Sequence, residues 1–274
     1  KKIICWPPLL GGIGAGVTIT ILAYITFESV LAGTNYGLWL TASFGSSAVV
    51  VSTLGALNYF RNDHKMNLYQ IADMAYKAER IELSILGGWQ DQYASVFGGF
   101  NFLEFKKDQN IVHPLRIPKD VLLQLEESLI LCDTGTIHES GDIHSDQKDK
   151  MKDAEISKLV KSNVDLCYKM RNQLLRGKLD DFGLSLNEAW QAKRKFSSKI
   201  SSPELDSIYE NAIANGAIGG KLLGAGGGGF FIFFVKAEKR FLLIEHLLSS
   251  GLTPTNFKFE SEGMQSWKVR ESSK

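Results

Sequence analysis

The sequence predicts an α+β fold built from two domains. Its 274 residues are enough for one large domain or two ordinary ones, and 44% of them are hydrophobic, so the chain can bury a substantial core. Short apolar runs typical of strands alternate with longer stretches of helical period. In the second half they follow the order strand, helix, helix, strand, helix, strand of a split α+β sandwich. We predict domains at 1–122 and 123–274.

The first domain is predicted to begin with strands and to continue with helices. Val17–Ile21 alternates with a period of two, as a half-buried strand does. The predicted elements are strands at Ile3–Cys5 and Val17–Thr26, helices at Ala48–Phe60 and Asn67–Glu82, a short helix after Gly88, and a strand at Phe100–Phe105.

The second domain is predicted to place helices between strands, after a boundary that lies between Leu115 and Leu125. Ser202, directly before Pro203, is typical of a helix N-cap. The predicted elements are strands at Ser128–Cys132, Phe230–Val235, Phe257–Phe259 and Trp267–Val269, and helices at Ala154–Leu175, Asp180–Lys195, Pro203–Ala214 and Glu238–Leu248.

Charge and cysteine content exclude several classes of protein. Lysine plus arginine number 31 against 30 aspartate plus glutamate, which excludes the positive field of a protein whose main partner is nucleic acid or an anionic membrane. The cysteines Cys5, Cys132 and Cys167 form no CxxC pair, so neither a disulfide framework nor a zinc site is indicated. We expect a protein of the reducing cytoplasm.

The first 32 residues are almost uncharged and superficially resemble a signal peptide or membrane anchor. Pro7 and Pro8 interrupt this apolar run, and several glycines follow them. Because an uninterrupted apolar helix is needed to cross a bilayer, we expect no membrane segment here.

Small hydroxyl residues precede the helix predicted at Ala48. Unpaired N–H groups and the positive end of the helix dipole can bind a phosphate at such a helix start, with Ser46 and Ser47 adding hydroxyl groups. The alternative is that one of these serines only caps the helix. The pattern GxxxxGK[ST] is absent from the sequence, so a Walker-type NTPase is not indicated.

Asp91 lies between two amides, Gln90 and Gln92, directly after a glycine pair and Trp89. A carboxylate in a partly apolar pocket can accept or orient the proton of a hydroxyl group, while amides can bind a polyol. Glu79 could bring a second carboxylate to the same region, where Mg²⁺ would find oxygen ligands. The alternative is an ordinary surface aspartate flanked by glutamines.

Four consecutive glycines, Gly226–Gly229, run directly into the strand predicted at Phe230. Glycine loses more backbone entropy on folding than any other residue, so such a run suggests that something approaches the backbone closely. A flexible linker is the alternative, but linkers seldom lead straight into a buried strand.

Together these features resemble the GHMP kinases. Ser43–Ala48 is similar to the family's GLGSSA nucleotide-phosphate motif, and Gly224–Gly229 to its third motif. Gly88–Phe105 is similar to the signature of the sugar 1-kinases that act on D-glycero-D-manno-heptose 7-phosphate, a resemblance that extends from about residue 41 to the C-terminus. It implies an N-terminal domain like domain 2 of ribosomal protein S5 and a ferredoxin-like C-terminal sandwich.

The resemblance also implies the site and its ligands, ATP and Mg²⁺. Asp91 is expected to act on the anomeric hydroxyl, and Ser47 and Glu79 to hold Mg²⁺. The nucleotide-phosphate residues are expected to be Ser43, Gly45, Ser46 and Ser47. The substrate residues are expected to be Gln90, Gln92, Thr134, Gly135, His138, Ser140, Gly226, Gly227 and Gly228. Relatives tend to carry Arg where His138 stands, and neutral His is a poorer phosphate partner.

The N-terminal part departs from the family pattern. Leu10 stands where relatives carry an Arg that faces the phosphoryl group, and Gly11–Gly14 lacks their Asp. Ser43 replaces the first glycine of the phosphate loop, and little chain remains between Thr26 and Gly45 for several family strands. Either the enzyme has lost these family residues and strands, or segments of the chain are missing from this sequence. We favour missing segments, because a domain would hardly remain folded after the loss of its central strands.

The resemblance predicts an ATP-dependent kinase that phosphorylates the anomeric hydroxyl of heptose 7-phosphate in the biosynthesis of nucleotide-activated heptose. The alternatives are a fucose- or galactose-type sugar 1-kinase and a catalytically impaired regulator that binds sugar phosphate or nucleotide. No nucleic-acid or membrane partner is expected, and the sequence leaves the oligomeric state open, a homodimer included.

Overall fold

The computed structural model describes residues 3–6, 18–21, 23–24, 46–61, 65–84, 87–106, 109–136 and 154–268. The helices are α1 (Ser46–Phe60), α2 (Leu68–Tyr76), α3 (Gln90–Phe97), α4 (Lys119–Ser128), α5 (Ala154–Leu175), α6 (Leu179–Arg194), α7 (Pro203–Ala214) and α8 (Ala237–Ser249), with a π-helix at Lys77–Glu82. The strands are β1 (Ile3–Trp6), β2 (Thr18–Ile21), β3 (Ala23–Tyr24), β4 (Phe100–Phe105), β5 (Asn110–Pro114), β6 (Leu129–Asp133), β7 (Ala217–Leu222), β8 (Phe230–Val235), β9 (Thr253–Thr255), β10 (Lys258–Phe259) and β11 (Gln265–Lys268).

The chain forms two compact units, and the C-terminal segment belongs to the first. Unit 1 contains Lys1–Gly11, Thr20–Asn101 and Lys258–Lys274, and unit 2 contains Gly12–Ile19 and Phe102–Phe257. These units are defined by contacts. The division into family domains at 1–122 and 123–274 stays a prediction.

Unit 1 is organised around α1, α2 and α3, which contact one another. Asn67 begins α2 with a capping box, in which its side chain accepts from the Gln70 N–H at 2.9 Å and the Gln70 side chain accepts from the Asn67 N–H at 2.9 Å. The Tyr93 hydroxyl of α3 donates to Asp73 of α2 at 2.6 Å. Helix α1 also contacts the antiparallel pair of β1 and β11. Tyr69 of α2 also packs edge to face on Phe97 of α3, with ring centroids 4.9 Å apart, so both apolar and polar contacts hold these helices together.

Unit 2 contains an antiparallel sheet in the order β7–β8–β6–β9, which confirms the α+β prediction. All six residues of β8 are buried. Trp190 of α6 packs edge to face on Phe231 of β8, with ring centroids 5.4 Å apart. A second, three-stranded sheet has the order β2–β4–β5. Among the described helices, none is long and apolar enough to cross a membrane.

Several elements differ from the sequence prediction. Residues 119–128, where no helix was predicted, form α4, which buries only Val121 and Leu125 at helical spacing. The helix predicted at Asn67–Glu82 changes from α to π at Lys77. Strands β5, β7 and β9 were not predicted. Short elements with few apolar residues give weak periodic signals, and glycines weaken the strand signal of β7.

The glycines of β7 have a packing role. A Cβ atom on Gly219 would lie 2.1 Å from the backbone oxygen of Gly183 in α6, and one on Gly220 would lie 2.6 Å from the Phe233 ring. Helix α6 can therefore lie against β7 only because Gly219 lacks a side chain, and the Phe233 ring of β8 occupies the space that a side chain on Gly220 would need.

Gly219→Ala is expected to destabilise the protein by about 3 kcal/mol, because the added methyl meets backbone that cannot move aside. Urea unfolding measures this change. The control is Gly88→Ala, since a Cβ atom there would meet nothing within 4 Å. Equal stability of the Gly219 variant and the wild type would contradict the packing described.

Candidate active site

The π-helix of unit 1 places two adjacent residues of opposite charge, Glu79 and Arg80, in different surroundings. Glu79 is fully buried, and the Arg80 side chain is 8% exposed. A π-helix adds one residue to a turn and therefore redirects the side chains that follow, which is why such segments are frequent at functional sites. Local sequence propensity does not reveal this change of helix type.

Helix α3 carries Asp91 in its first turn, where the positive end of the helix dipole favours a carboxylate. The Trp89 ring, just before the helix, stacks on Tyr76 with centroids 3.5 Å apart and planes at 3°. The Asp91 side chain is 27% exposed, whereas the neighbouring Gln90 is buried. Asp91 can thus reach a ligand while its helix is fixed on both sides by buried residues.

Arg80 forms an ion pair with Asp91, with 3.3 Å between Nη2 and Oδ2. A Cβ atom on Gly87 would lie 2.6 Å from the Arg80 guanidinium carbon. The first glycine of the pair before Asp91 therefore leaves space for the guanidinium group, which in turn contacts the carboxylate. Arg80 was missed by the sequence analysis, because nothing in the spacing of residues 80 and 91 indicates a contact.

Ser47, Glu79 and Gln92 form a buried polar cluster. The Gln92 Nε2 donates to Glu79 Oε2 at 2.6 Å and to Ser47 Oγ at 3.2 Å. Ser47 is 6% exposed, and the other two residues are fully buried. Three separate elements, α1, the π-helix and α3, thus deliver one polar side chain each to the same place. Gln92, expected to place the sugar, contacts the two predicted Mg²⁺ ligands.

This cluster fits a hard divalent cation. Glu79 Oε1 and Gln92 Oε1 are buried and have no hydrogen-bond partner in the described part of the chain. An unsatisfied buried polar group costs about 1–3 kcal/mol, and more if it is charged. Mg²⁺ prefers oxygen ligands and commonly takes one or two from the protein, the rest coming from phosphates and water. Within the described ranges no group of three or more His, Cys, Asp or Glu residues is placed to hold a metal ion.

The C-terminal segment of unit 1 fixes the end of α3. The Met264 N–H donates to the Val96 oxygen at 3.0 Å, and the Gly99 N–H donates to the Glu260 oxygen at 3.2 Å. A Cβ atom on Gly98 would lie 2.3 Å from the Glu262 carbonyl carbon. The glycine pair after the Asp91 helix is thus required by the approach of the protein's own backbone.

The glycine loop of unit 2 also packs against the protein's own backbone. The Gly227 N–H donates to the Ile200 oxygen at 2.8 Å, and the Gly229 N–H donates to the Thr136 oxygen at 3.0 Å. A Cβ atom on Gly228 would lie 2.4 Å from the Thr136 oxygen. Two of the loop's donors are therefore engaged. The N–H groups of Gly226 and Gly228 have no acceptor among the described residues.

Thr134 and Gly135 adjoin this loop. The N–H and hydroxyl groups of Thr134 each donate to the Gly229 oxygen at 2.8 Å. Gly135 has φ +68° and donates to the Asp133 carboxylate at 3.0 Å, in a turn directly after β6. The structure thus brings Thr134 to the end of the glycine loop.

Lys193 holds the beginning of the glycine loop and was missed by the sequence analysis. Its Nζ donates to the Leu222 oxygen at 2.9 Å and to the Gly224 oxygen at 2.6 Å. Burial, and secondly the charge of Lys221, lower the pKa of Lys193 well below its ordinary value. The sequence separations of 29 and 31 residues leave no local signal for these contacts.

Several predicted residues lie outside the part of the chain that the structure describes. They are Leu10, Gly11–Gly14, Ser43, Gly45, His138 and Ser140, together with the side chain of Ser46. Their proposed roles, and the question of omitted segments around residues 27–44, stay predictions.

Comparisons with known proteins agree with these motifs. Residues 45–99 match the GHMP kinase N-terminal domain, and residues 170–248 match the GHMP kinase C-terminal family. A D-glycero-alpha-D-manno-heptose 7-phosphate kinase from Campylobacter jejuni is 37% identical over 245 residues, which cover 89% of this chain and 70% of that protein.

Solved structures show the same fold. A crystal structure from Campylobacter jejuni, 37% identical, has a TM-score of 0.65 and covers 82% of this chain; this chain spans 64% of it. A D-glycero-D-manno-heptose 1-phosphate kinase from Bacteroides thetaiotaomicron, 22% identical, has a TM-score of 0.68 over 98% of this chain and 100% of that chain. The chain belongs to the GHMP kinase family.

Proposed function

We propose that the protein transfers the γ-phosphoryl group of ATP to the anomeric hydroxyl of D-glycero-D-manno-heptose 7-phosphate, in the biosynthesis of nucleotide-activated heptose in the cytoplasm. The observation that supports this best is the buried cluster of Ser47, Glu79 and Gln92. It carries one carboxylate and two oxygens without a partner in the described chain, one on Glu79 and one on Gln92, the residue next to Asp91. The similarity to a heptose 7-phosphate kinase over most of the chain supports the choice of sugar.

The nucleotide phosphates are assigned to the start of α1. Ser46 begins this helix and Ser47 follows it, so unpaired N–H groups and the positive dipole end lie beside the Ser47 hydroxyl. Ser43 and Gly45 complete the phosphate loop by resemblance to the family. Ser47 and Glu79 would hold Mg²⁺, which when bound neutralises charge on the phosphate oxygens.

Asp91 is assigned to the sugar hydroxyl. It accepts the hydroxyl proton as the sugar oxygen bonds to the γ-phosphorus; the bond to the β–γ bridging oxygen breaks and ADP leaves. Because such transition states are loose, positioning and charge neutralisation supply most of the catalysis. Arg80 contacts the carboxylate directly and holds its orientation.

The remaining sugar contacts are assigned by resemblance. Gln90 would bind sugar hydroxyls, and His138 and Ser140 would bind the 7-phosphate. Thr134, Gly135 and the glycines at 226–228 would border the acceptor, with the N–H groups of Gly226 and Gly228 as donors.

A coupled ADP assay with heptose 7-phosphate, fucose and galactose tests the proposed substrate. If only fucose or galactose is turned over, that sugar replaces heptose 7-phosphate as the substrate. If no sugar is turned over, the result favours a regulator that binds sugar phosphate or nucleotide.

Asp91→Asn is expected to lower kcat about 10²-fold or more, because the hydroxyl proton loses its acceptor. Steady-state kinetics with heptose 7-phosphate measure the change. Asp181→Asn is the matched control, since Asp181 is an exposed acid in the first turn of α6. Wild-type turnover by the Asp91 variant would remove this residue from the mechanism.

Arg80→Met is expected to lower kcat about tenfold, because the Asp91 carboxylate loses the side chain that holds its orientation. Arg80→Lys should restore part of this loss. Lys77→Met removes the same charge from an exposed position of the same π-helix and should leave kcat unchanged. A wild-type kcat in Arg80→Met would show that the ion pair has only a structural role.

Glu79→Gln is expected to stabilise the cation-free protein by about 1 kcal/mol, because it removes a buried charge that has no cationic partner in the described region. The stabilisation of the wild type by Mg²⁺ with ADP should disappear in the variant. Thermal unfolding measures both. Glu82→Gln, at an exposed position of the same π-helix, is the control. A variant that Mg²⁺ and ADP still stabilise fully would contradict the assigned ligand.

A further inference from the structure

The Gln92 amide lies between the two side chains assigned to Mg²⁺. Gln92 is fully buried in α3, and its Nε2 donates to Glu79 at 2.6 Å and to Ser47 at 3.2 Å. An amide nitrogen carries two hydrogens, so both donors of this side chain are used within the cluster. A residue in this position has no donor left for a sugar hydroxyl.

Two oxygens of the cluster lack a partner. Glu79 Oε1 and Gln92 Oε1 are both buried, and the described residues offer neither of them a hydrogen-bond donor. The cationic side chain next in sequence, Arg80, pairs with Asp91 instead. The same two side chains that share a hydrogen bond therefore each present an unsatisfied oxygen, which is the atom type that a hard cation takes as a ligand.

We propose that Gln92 is a positioning residue of the divalent-cation site and not a sugar contact. Its two N–H groups hold the Ser47 hydroxyl and the Glu79 carboxylate at a fixed separation. Its own oxygen lies unpaired in the same buried cluster. This inference rests on the proposed function for the identity of the nucleotide and sugar, but its central measurement does not require turnover.

Gln92→Leu keeps the approximate shape of the side chain and removes its polar atoms. Binding of Mn²⁺ in place of Mg²⁺, with ADP present, is followed by electron paramagnetic resonance of the free ion. The variant is expected to bind Mn²⁺ at least about tenfold more weakly than the wild type, as changes to residues that orient metal ligands typically do. Its KM for the sugar at saturating Mg²⁺ should stay within about twofold of the wild-type value.

Gln90→Leu is the matched control, because Gln90 is also buried and lies two residues away on the same helix. It should bind Mn²⁺ like the wild type and show a raised KM for the sugar. The reverse result, a raised sugar KM with unchanged Mn²⁺ affinity in Gln92→Leu, would return Gln92 to the sugar site and overturn the proposal. If the wild type turns over no sugar, the proposed function fails, whereas the Mn²⁺ measurements still decide this inference.

Gln92→Glu provides a second test if the leucine variant does not fold. It places another carboxylate beside Glu79, and the two like charges repel each other without a cation. The thermal midpoint of this variant should be lower than that of the wild type without divalent cation and should rise more steeply when Mn²⁺ is added. A rise equal to that of the wild type would show that position 92 is remote from the cation and would overturn the proposal.

Discussion

The buried carboxylate of Glu79 is the constraint on which the arrangement of unit 1 depends. It is fully buried, it accepts a hydrogen bond from Gln92, and the described chain places no cationic side chain within ion-pair distance of it. An isolated charge inside a protein is strongly unfavourable unless it is paired or binds a metal. Helices α1 and α3 meet the π-helix at this carboxylate, and each of the two helices contributes one polar side chain to it, Ser47 and Gln92.

The glycine-rich segments show a second constraint, which is close approach of the backbone to other parts of the same protein. Gly87 leaves space for the guanidinium of Arg80, Gly98 for the backbone of Glu262, and Gly228 for the backbone of Thr136. A glycine motif that resembles a ligand-binding signature can thus be required by internal packing first. In the loop at 226–229 this packing also decides which donors remain, because two of its N–H groups already bond to other loops.

The elements with a strong local signal were predictable, and the contacts of the site were not. Helix α5 has the predicted bounds Ala154–Leu175, and β8 has the predicted bounds Phe230–Val235, because apolar periodicity and the residues that end each element are local properties. The partners of Arg80 and Lys193 depend on how distant segments pack, so no spacing rule reveals them. The prediction that Gln92 contacts the sugar stays a prediction; the structure adds that Gln92 and Asp91 meet different partners, because successive residues of a helix point about 100° apart.

The π-helix connects the two halves of the candidate site. Glu79 and Arg80 are adjacent and opposite in charge, yet the carboxylate turns inward to Gln92 while the guanidinium turns to Asp91. In an α-helix each residue advances by about 100°, and the wider π turn changes this angle for the residues that follow it. The direction of Glu79 and that of Arg80 are therefore set by one backbone feature. The hydrogen bond of Glu79 to Gln92 and the ion pair of Arg80 with Asp91 depend on the same turn of helix, so a change in that turn would disturb both contacts together.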